Sequence, residues 1–349
     1  MDVVQILLNA GANINFKSES GHDAIHFASE KYHINIVKLL IEFGIDIDPK
    51  NIHYASAADQ VEMIVLFLDH GIDINCTTQT GNNCLHYAVY NHRYAAAKFL
   101  ISRGADIDAK GKTEQTPLHL AAYEGQIEIV KLLLENGANP NILDEDDESP
   151  LHLAIKSRHN NEKVVKLLID HGSDINADEA SNTVLHLAVK KGYFEVVKYL
   201  LEKGANISSF NEDWETPLEL AISGKDIETI KILIDYGADF KTKNWAGKSG
   251  LDLCRVNQNG KEIMDLILTK MMSSVKEKGT MKKSSKAVQF TLEECLTCNG
   301  EREEIFSLYP CGHAKTCEQC CIKLIASFDI TPVCPICRSR IDDYKKIYF

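Results

Sequence analysis

The sequence predicts a mainly α-helical chain, a solenoid of helix-turn-helix repeats with hairpin loops, followed by a small α+β domain held together by metal. Three observations carry this expectation. A seven-residue motif returns at a period of 33; a glycine closes each returning unit; and eight of the 11 cysteines crowd between 295 and 337. The 349 residues are 44% apolar and 25% charged, as in a globular chain rather than a disordered one. No run of about 18 apolar residues is present, so no membrane partner is expected. The start, MDVVQILLNAGANIN, has no basic stretch ahead of its apolar one, so a secretory signal is not expected either. The expected location is cytoplasmic, with the nucleus as the other option.

The repeat comes first because missing it would misassign the whole fold. TPLHLAA at 116–122 returns as SPLHLAI at 149–155, TVLHLAV at 183–189 and TPLELAI at 216–222, with weaker copies NCLHYAV at 83–89 and DAIHFAS at 23–29. A second apolar element follows each copy, as in IVKLLLENG and VVKYLLEKG. The closing glycines at 11, 44, 71, 104, 137, 172, 204 and 237 are spaced 33, 27, 33, 33, 35, 32 and 33. Within a unit, Thr116 suits an N-cap and Pro117 the first helical position, where a missing N–H costs nothing. Leu118, Leu120 and Ala121 begin a short inner helix. Ile129, Val130 and Leu132 to Leu134 mark a second helix, stopped by Gly137 as a left-handed cap. Stretches such as ANPNILDEDDE would project between units as hairpins. One unit cannot bury its own apolar faces, so neighbours must stack.

This pattern resembles the ankyrin repeat over 1–272, in about eight to nine units. The unit at about 49–75 is six residues short and lacks the hairpin stretch, so a locally irregular stack is expected there. The last unit, with Gly250 where proline usually sits, reads as a C-terminal cap. The first begins inside its second helix, so a start upstream of Met1 is expected.

Several features of the array invite sharper readings. His86, His119, His152 and His186 recur once per unit, which suits the family's structural hydrogen-bonding position better than a metal array. Ala246-Gly247-Lys248-Ser249 lacks the glycine that a phosphate loop needs where Thr242 stands. Asp144–Glu148 is read as a solvated hairpin, with a dock for a basic partner as the alternative. Trp214 and Trp245 fall at hairpin positions and are candidate substrate anchors.

The charge is uneven. Residues 273–290 carry five Lys against one Glu, or +4, and 291–349 sum to −2, which leaves −14 on 1–272 out of the total of −12. So acidic a body repels a phosphate backbone, and nucleic acid is not an expected partner. The 273–290 segment reads as a flexible tether spanning roughly 20–25 Å.

From Cys295 the order is Cys-x2-Cys, twelve residues, Cys-x-His-x3-Cys-x2-Cys, thirteen residues, Cys-x2-Cys. The eight candidate ligands are Cys295, Cys298, Cys311, His313, Cys317, Cys320, Cys334 and Cys337. Eight N/S ligands suit two tetrahedral Zn2+ ions with no open position, hence structural rather than catalytic. A domain of about 59 residues has too small a core to be secure without such a staple, so zinc binding and folding should be one event.

The tail at 291–349 resembles the RING finger, and PCGHAKTC with its short extension is most similar to the RINGs of the inhibitor-of-apoptosis group. The resemblance implies a cross-brace, with Cys295, Cys298, Cys317 and Cys320 on one zinc and Cys311, His313, Cys334 and Cys337 on the other. Cys321 is left as a free thiol or a competitor of Cys320. It also implies a ubiquitin ligase without a nucleophile of its own, which holds a ubiquitin-loaded conjugating enzyme while a substrate lysine attacks the thioester. Pro335, Ile336 and Leu324 match the surface that touches the conjugating enzyme. Arg338 matches the linchpin, whose guanidinium bridges that enzyme and ubiquitin. Thr297 departs from the Ile or Val usual at its position. Tyr348, with Phe349 as a substitute, matches the terminal aromatic that reaches across a RING homodimer to the partner's ubiquitin. The implied partners are thus a conjugating enzyme, ubiquitin and a protein substrate of unknown identity. The alternative is a non-catalytic scaffold whose RING serves assembly.

Overall fold

The computed structural model describes residues 2–19, 21–157, 161–179, 182–244 and 246–256, with Ile263 and the dipeptides 306–307 and 315–316. The chain divides into two units, Met1–Ile263 and Met264–Phe349. The first is built of short helices in two layers. An isolated outer helix, α1 (Asp2–Asn9), precedes seven inner–outer pairs: α2 (Ala24–Glu30) with α3 (Ile34–Glu42), α4 (Lys50–Ala57) with α5 (Val61–Asp69), α6 (Cys84–Tyr90) with α7 (Tyr94–Ser102), α8 (Pro117–Tyr123) with α9 (Ile127–Glu135), α10 (Pro150–Lys156) with α11 (Glu162–Asp170), α12 (Val184–Lys191) with α13 (Phe194–Glu202), and α14 (Pro217–Gly224) with α15 (Ile227–Asp235). A further inner helix, α16 (Gly250–Val256), packs on α14.

Each inner helix packs on the next inner helix and each outer helix from α3 on packs on the next outer one. The core lies between the layers. Leu85, Leu118, Leu151 and Leu185 recur in it from the inner side, and Leu100, Leu133, Leu168 and Leu200 from the outer side, all almost wholly buried. Helices of seven to nine residues are too short to hold in water alone, so their stability comes from this stacking.

The start of each inner helix shows why the motif has its residues. Thr116 caps α8 and Pro117 follows at the first helical position. His119, three residues after the cap, turns back on it: Nδ1 lies 3.1 Å from the Thr116 amide, and Nε2 lies 3.1 Å from the Glu148 carbonyl of the next hairpin. A carbonyl can only accept, so Nε2 carries the proton and Nδ1 accepts from the cap amide. The recurring imidazole is therefore a neutral strut between units. His86 spans the Asn83 amide and the Gln115 carbonyl, and His186 the Thr183 amide and the Glu215 carbonyl, in the same way. Among the described residues no group of three or more His, Cys, Asp or Glu is placed to hold a metal. The bonds of His86, His119 and His186 are those of the structural hydrogen-bonding position. Glu219 takes the position in α14 and accepts from the Thr216 amide at 2.8 Å, and Asp252 does so in α16 from Ser249 at 3.0 Å.

A second ladder runs along the hairpin bases. Asn15 accepts from the Asp46 amide, Asn75 from Asp106, Asp108 from Asn139, Asn141 from Asp174 and Asn176 from Asn206, at 2.8–3.1 Å. A third ties the start of an outer helix to the unit before it. Gln60 donates to the Ser29 carbonyl at 2.7 Å, Arg93 to Ala57 at 2.8 Å and Gln126 to Val89 at 2.9 Å. The short unit shows what its missing residues do. Asp48 accepts from Lys50 two residues on instead of joining the base ladder, yet α4 still packs between α2 and α6, and His53 still reaches the Cys76 carbonyl at 3.0 Å. The irregularity expected there is confined to the hairpin.

Gly137 has φ +89° beyond α9, the left-handed cap that its position requires. Hairpin tips need a positive φ as well. Gly21, Gly81 and Gly247 supply it in three units, whereas Trp214 stands there in a fourth with φ +54°. An L-residue in that region is strained by about 1–2 kcal/mol, and glycine recovers most of this less its larger unfolded-state entropy. Trp214→Gly should therefore raise the stability of the stack by up to about 1 kcal/mol in urea unfolding; a loss of more than about 1 kcal/mol would mean that the indole is a packing element.

The struts make two further predictions. His119→Leu strands the Thr116 amide and the Glu148 carbonyl and should destabilise the stack by about 2–4 kcal/mol, read from the urea midpoint. Burial pushes the His53, His86, His119 and His186 imidazoles below their usual 6.5. Below that pH the unfolded chain takes up protons that the folded stack refuses. Stability should thus be full above pH 6.5 and fall as the pH drops, by up to about 1.4 kcal/mol per imidazole per pH unit. Burial raises the Glu219 carboxyl instead, so Glu219→His should steepen the fall in a pH series of melting temperatures.

Candidate functional site

Two surfaces of the stack expose side chains that its packing does not require. The first is the row of hairpin tips. Trp214 is 61% exposed and pairs with Phe210, ring centroids 5.8 Å apart. The side chain of Asn211 organises that tip, accepting from the Asp213 and Glu215 amides at 3.0 and 2.7 Å. Asp144 does the same at the start of the acidic run, accepting from Asp146 and Glu148 at 3.1 and 3.0 Å, and is itself buried. Glu148, also buried, pairs with Lys156. Of the run Asp144–Glu148, then, only the middle three residues form the solvated hairpin that was expected. Trp245 lies outside the described residues.

The second surface is the outward face of the inner helices, and nothing in the sequence reading singled it out. Phe27, Tyr54, Tyr90 and Tyr123 are 50%, 39%, 66% and 43% exposed. Histidines link the rings of Phe27 and Tyr54, and another meets Tyr87. His26 meets Tyr54 edge-on at 4.4 Å, His22 stacks on His26 at 3.9 Å, and His53 lies 5.1 Å from Tyr87. A cleft of about 410 Å³ opens beside Tyr87, Tyr90 and Leu120, with Asn82, Lys112 and Gln115 as polar walls. Aligning the units by their inner helices rather than by the TPLH motif would have found this strip.

Burial holds the thiols of the stack in their protonated form. Burial pushes Cys84 up to about 12 and Cys254 up to about 11, and Cys84 donates to the Ile74 carbonyl at 3.0 Å. No helix among the described residues is long and apolar enough to cross a membrane.

In the second unit, β1 (Phe306–Ser307) pairs antiparallel with β2 (Lys315–Thr316), Phe306 opposite Thr316 and Ser307 opposite Lys315. The sequence between these strands holds Cys311 and His313, and Cys317 follows Thr316 directly. The eight expected zinc ligands lie outside the described residues, as do Thr297, Leu324, Pro335, Ile336, Arg338, Tyr348, Phe349 and Cys321. A set of seven thiols and one imidazole is soft and suits zinc.

Comparison with known proteins agrees with both halves. Ankyrin repeats match at 1–78, 50–111, 85–179 and 177–244. A zinc finger of C3HC4 type, the RING finger, matches at 291–344, and the eight ligands read in order are C3HC4. The chain is 53% identical over 53 residues to the putative ankyrin repeat protein FPV219 of fowlpox virus, which covers 15% of this chain and 12% of that protein. It is 41% identical over 58 residues to protein phosphatase 1 regulatory subunit 27 of Homo sapiens, covering 16% and 38%. The chain thus spans well under half the length of these curated relatives. Among solved structures, the human ASB11 ankyrin repeat domain aligns with a TM-score of 0.53 at 29% identity, over 62% of this chain and 96% of that one. The ankyrin repeat domain of Bcl-3 aligns with a TM-score of 0.56 at 23% identity, over 61% and 97%, and shares the fold. With repeat matches running from 1 to 244, the stacked helix pairs and their struts are those of the ankyrin-repeat family, to which this chain belongs, here joined to a C-terminal RING finger.

Proposed function

We propose that the protein is a RING-type ubiquitin ligase in which the ankyrin stack holds a protein substrate and the RING holds a ubiquitin-loaded conjugating enzyme. One observation carries the reading: a protein-binding repeat array and a C3HC4 finger stand in one chain, with an arginine, Arg338, directly after the last ligand of the finger. On this reading Cys295, Cys298, Cys317 and Cys320 hold one Zn2+, and Cys311, His313, Cys334 and Cys337 the other. Each ion has four protein ligands, so its role is to fold the finger rather than to activate water. Pro335, Ile336 and Leu324 then face the conjugating enzyme, with Thr297 adjusting which enzyme is accepted. The Arg338 guanidinium restrains the loaded ubiquitin through its planar fork of donors. Residues 273–290 tether the two halves, and substrate and thioester meet through raised effective concentration. Seven zinc-bound thiolates suit a reducing cytoplasmic or nuclear setting.

The test is a purified ubiquitination assay over a broad panel of conjugating enzymes. Wild type should build chains, at least on itself. Arg338→Ala should lose at least tenfold in discharge of the loaded enzyme while retaining two zinc ions per chain by metal analysis. Inactivity of wild type across the panel would favour the scaffold reading, in which the RING serves assembly. Deleting Tyr348 and Phe349 should abolish discharge at unchanged zinc content if a RING homodimer acts in trans; unchanged discharge would remove the homodimer from the scheme.

A further inference from the structure

The inner helices present two register positions outward, and their chemistry changes halfway along the stack. Immediately after the strut residue, the position reads Phe27, Tyr54, Tyr87 and Leu120, and then turns inward at Leu153 and Leu187, which are buried. One helical turn further it reads Glu30, Ala57, Tyr90 and Tyr123, followed by Lys156, Lys190 and Ser223. Residues three apart on a helix share a face, so the two positions of one unit are neighbours. On α10, α12 and α14 the only carboxylate is Glu219, which is 1% exposed and bound to its cap. Lys190 and Lys191 are exposed, and Lys225 adds a further cation at the end of α14. Lys156 on α10 is neutralised by Glu148, so the cations of this face are Lys190, Lys191 and Lys225. The face is therefore aromatic over α2 to α8, where Glu30 pairs with Lys31 and Glu124 caps α8, and cationic over α12 to α14.

We infer that this face is a groove for an extended protein segment of divided chemistry. Apolar side chains of the segment lie on the rings of the N-terminal half, and its Asp or Glu side chains lie on the lysines of the C-terminal half. Exposed aromatics grouped on one face are the usual mark of a contact surface, and the cleft beside Tyr87 and Tyr90 gives one anchor a pocket to fill. Adjacent packed helices lie about 8–10 Å apart, which three extended residues span. The segment should thus present an apolar residue about every third position for roughly nine to twelve residues and then an acidic cluster. Its charge is opposite to that of the lysines and would be repelled by the acidic hairpin tips, so the two surfaces select different partners. On the ligase reading this segment belongs to the substrate. The test reads binding alone, so its failure and a failure of ubiquitin transfer are distinguishable.

The full chain is used to select from a phage-displayed library of random 20-residue peptides, and enriched peptides are resynthesised for fluorescence-polarisation titration. Enrichment should converge on peptides with spaced apolar residues beside an Asp/Glu cluster. Tyr90→Ser with Tyr123→Ser, and separately Lys190→Glu with Lys191→Glu, should each weaken binding at least tenfold while melting within about 2 °C of wild type. The lysine pair alone should flatten the salt dependence. Lack of any enrichment would overturn the inference. So would recovery of Lys/Arg-rich peptides, which would move the contact to the acidic tips around Trp214. Affinities that change less than threefold in both double variants would overturn it as well.

Discussion

A neutral, doubly bonded imidazole is the joint on which the ankyrin stack depends. At His86, His119 and His186 the strut satisfies the cap amide of its own inner helix and the carbonyl of the hairpin contributed by the next unit, both of them withdrawn from water. A buried polar group without a partner is expensive, so neither unit can close without the other. That mutual dependence makes helices of seven to nine residues into a cooperative body. It also explains why a threonine or serine cap and a histidine three residues on travel together through the sequence: each is half of one hydrogen-bonded unit. Where glutamate replaces histidine, at Glu219, the carboxylate still accepts from its cap, but its charge is harder to bury.

Separating the joint from the surface frees the remaining positions to vary. The unit at 49–75 loses its hairpin, one rung of the base ladder and the cap half of its strut, since Pro49 has no amide to offer His53. Its helices still stay in register because the far half of the strut and the outer-helix ties survive. Trp214 can stand at a tip where glycine is easier because the neighbouring Asn211 cap holds the turn in shape. The outward inner-helix face drifts from tyrosine to lysine for the same reason. None of these side chains carries the stack, so their chemistry is available for recognition.

The C-terminal unit meets the same problem of small size by a different route. A stack gains core by adding neighbours, whereas a finger of about 59 residues has none to add and relies on metal. Acidic tips, a lysine-bearing groove and a basic connector lie along one chain whose total charge is −12. The net value alone would have suggested a uniformly acidic protein.

Much of the fold was legible in the sequence. The period of 33, Thr116 and Pro117 at a helix start, Gly137 at a helix end and the soft-ligand order from Cys295 to Cys337 each follow from local rules: capping, backbone freedom and metal preference. Those rules act over a few residues, and so they can be read from a string. What the string did not disclose is which side chains become neighbours across units. The aromatic strip joins residues about 27 to 33 apart, the burial of Asp144 and Glu148 depends on a turn and a lysine eight residues on, and the exposure of Trp214 depends on where its hairpin projects. Residue type and spacing determined that there would be a repeat stack and a metal-bound finger. Only the tertiary packing of helix on helix decided which face of that stack is left open, because exposure belongs to neighbours in space and not to neighbours in sequence.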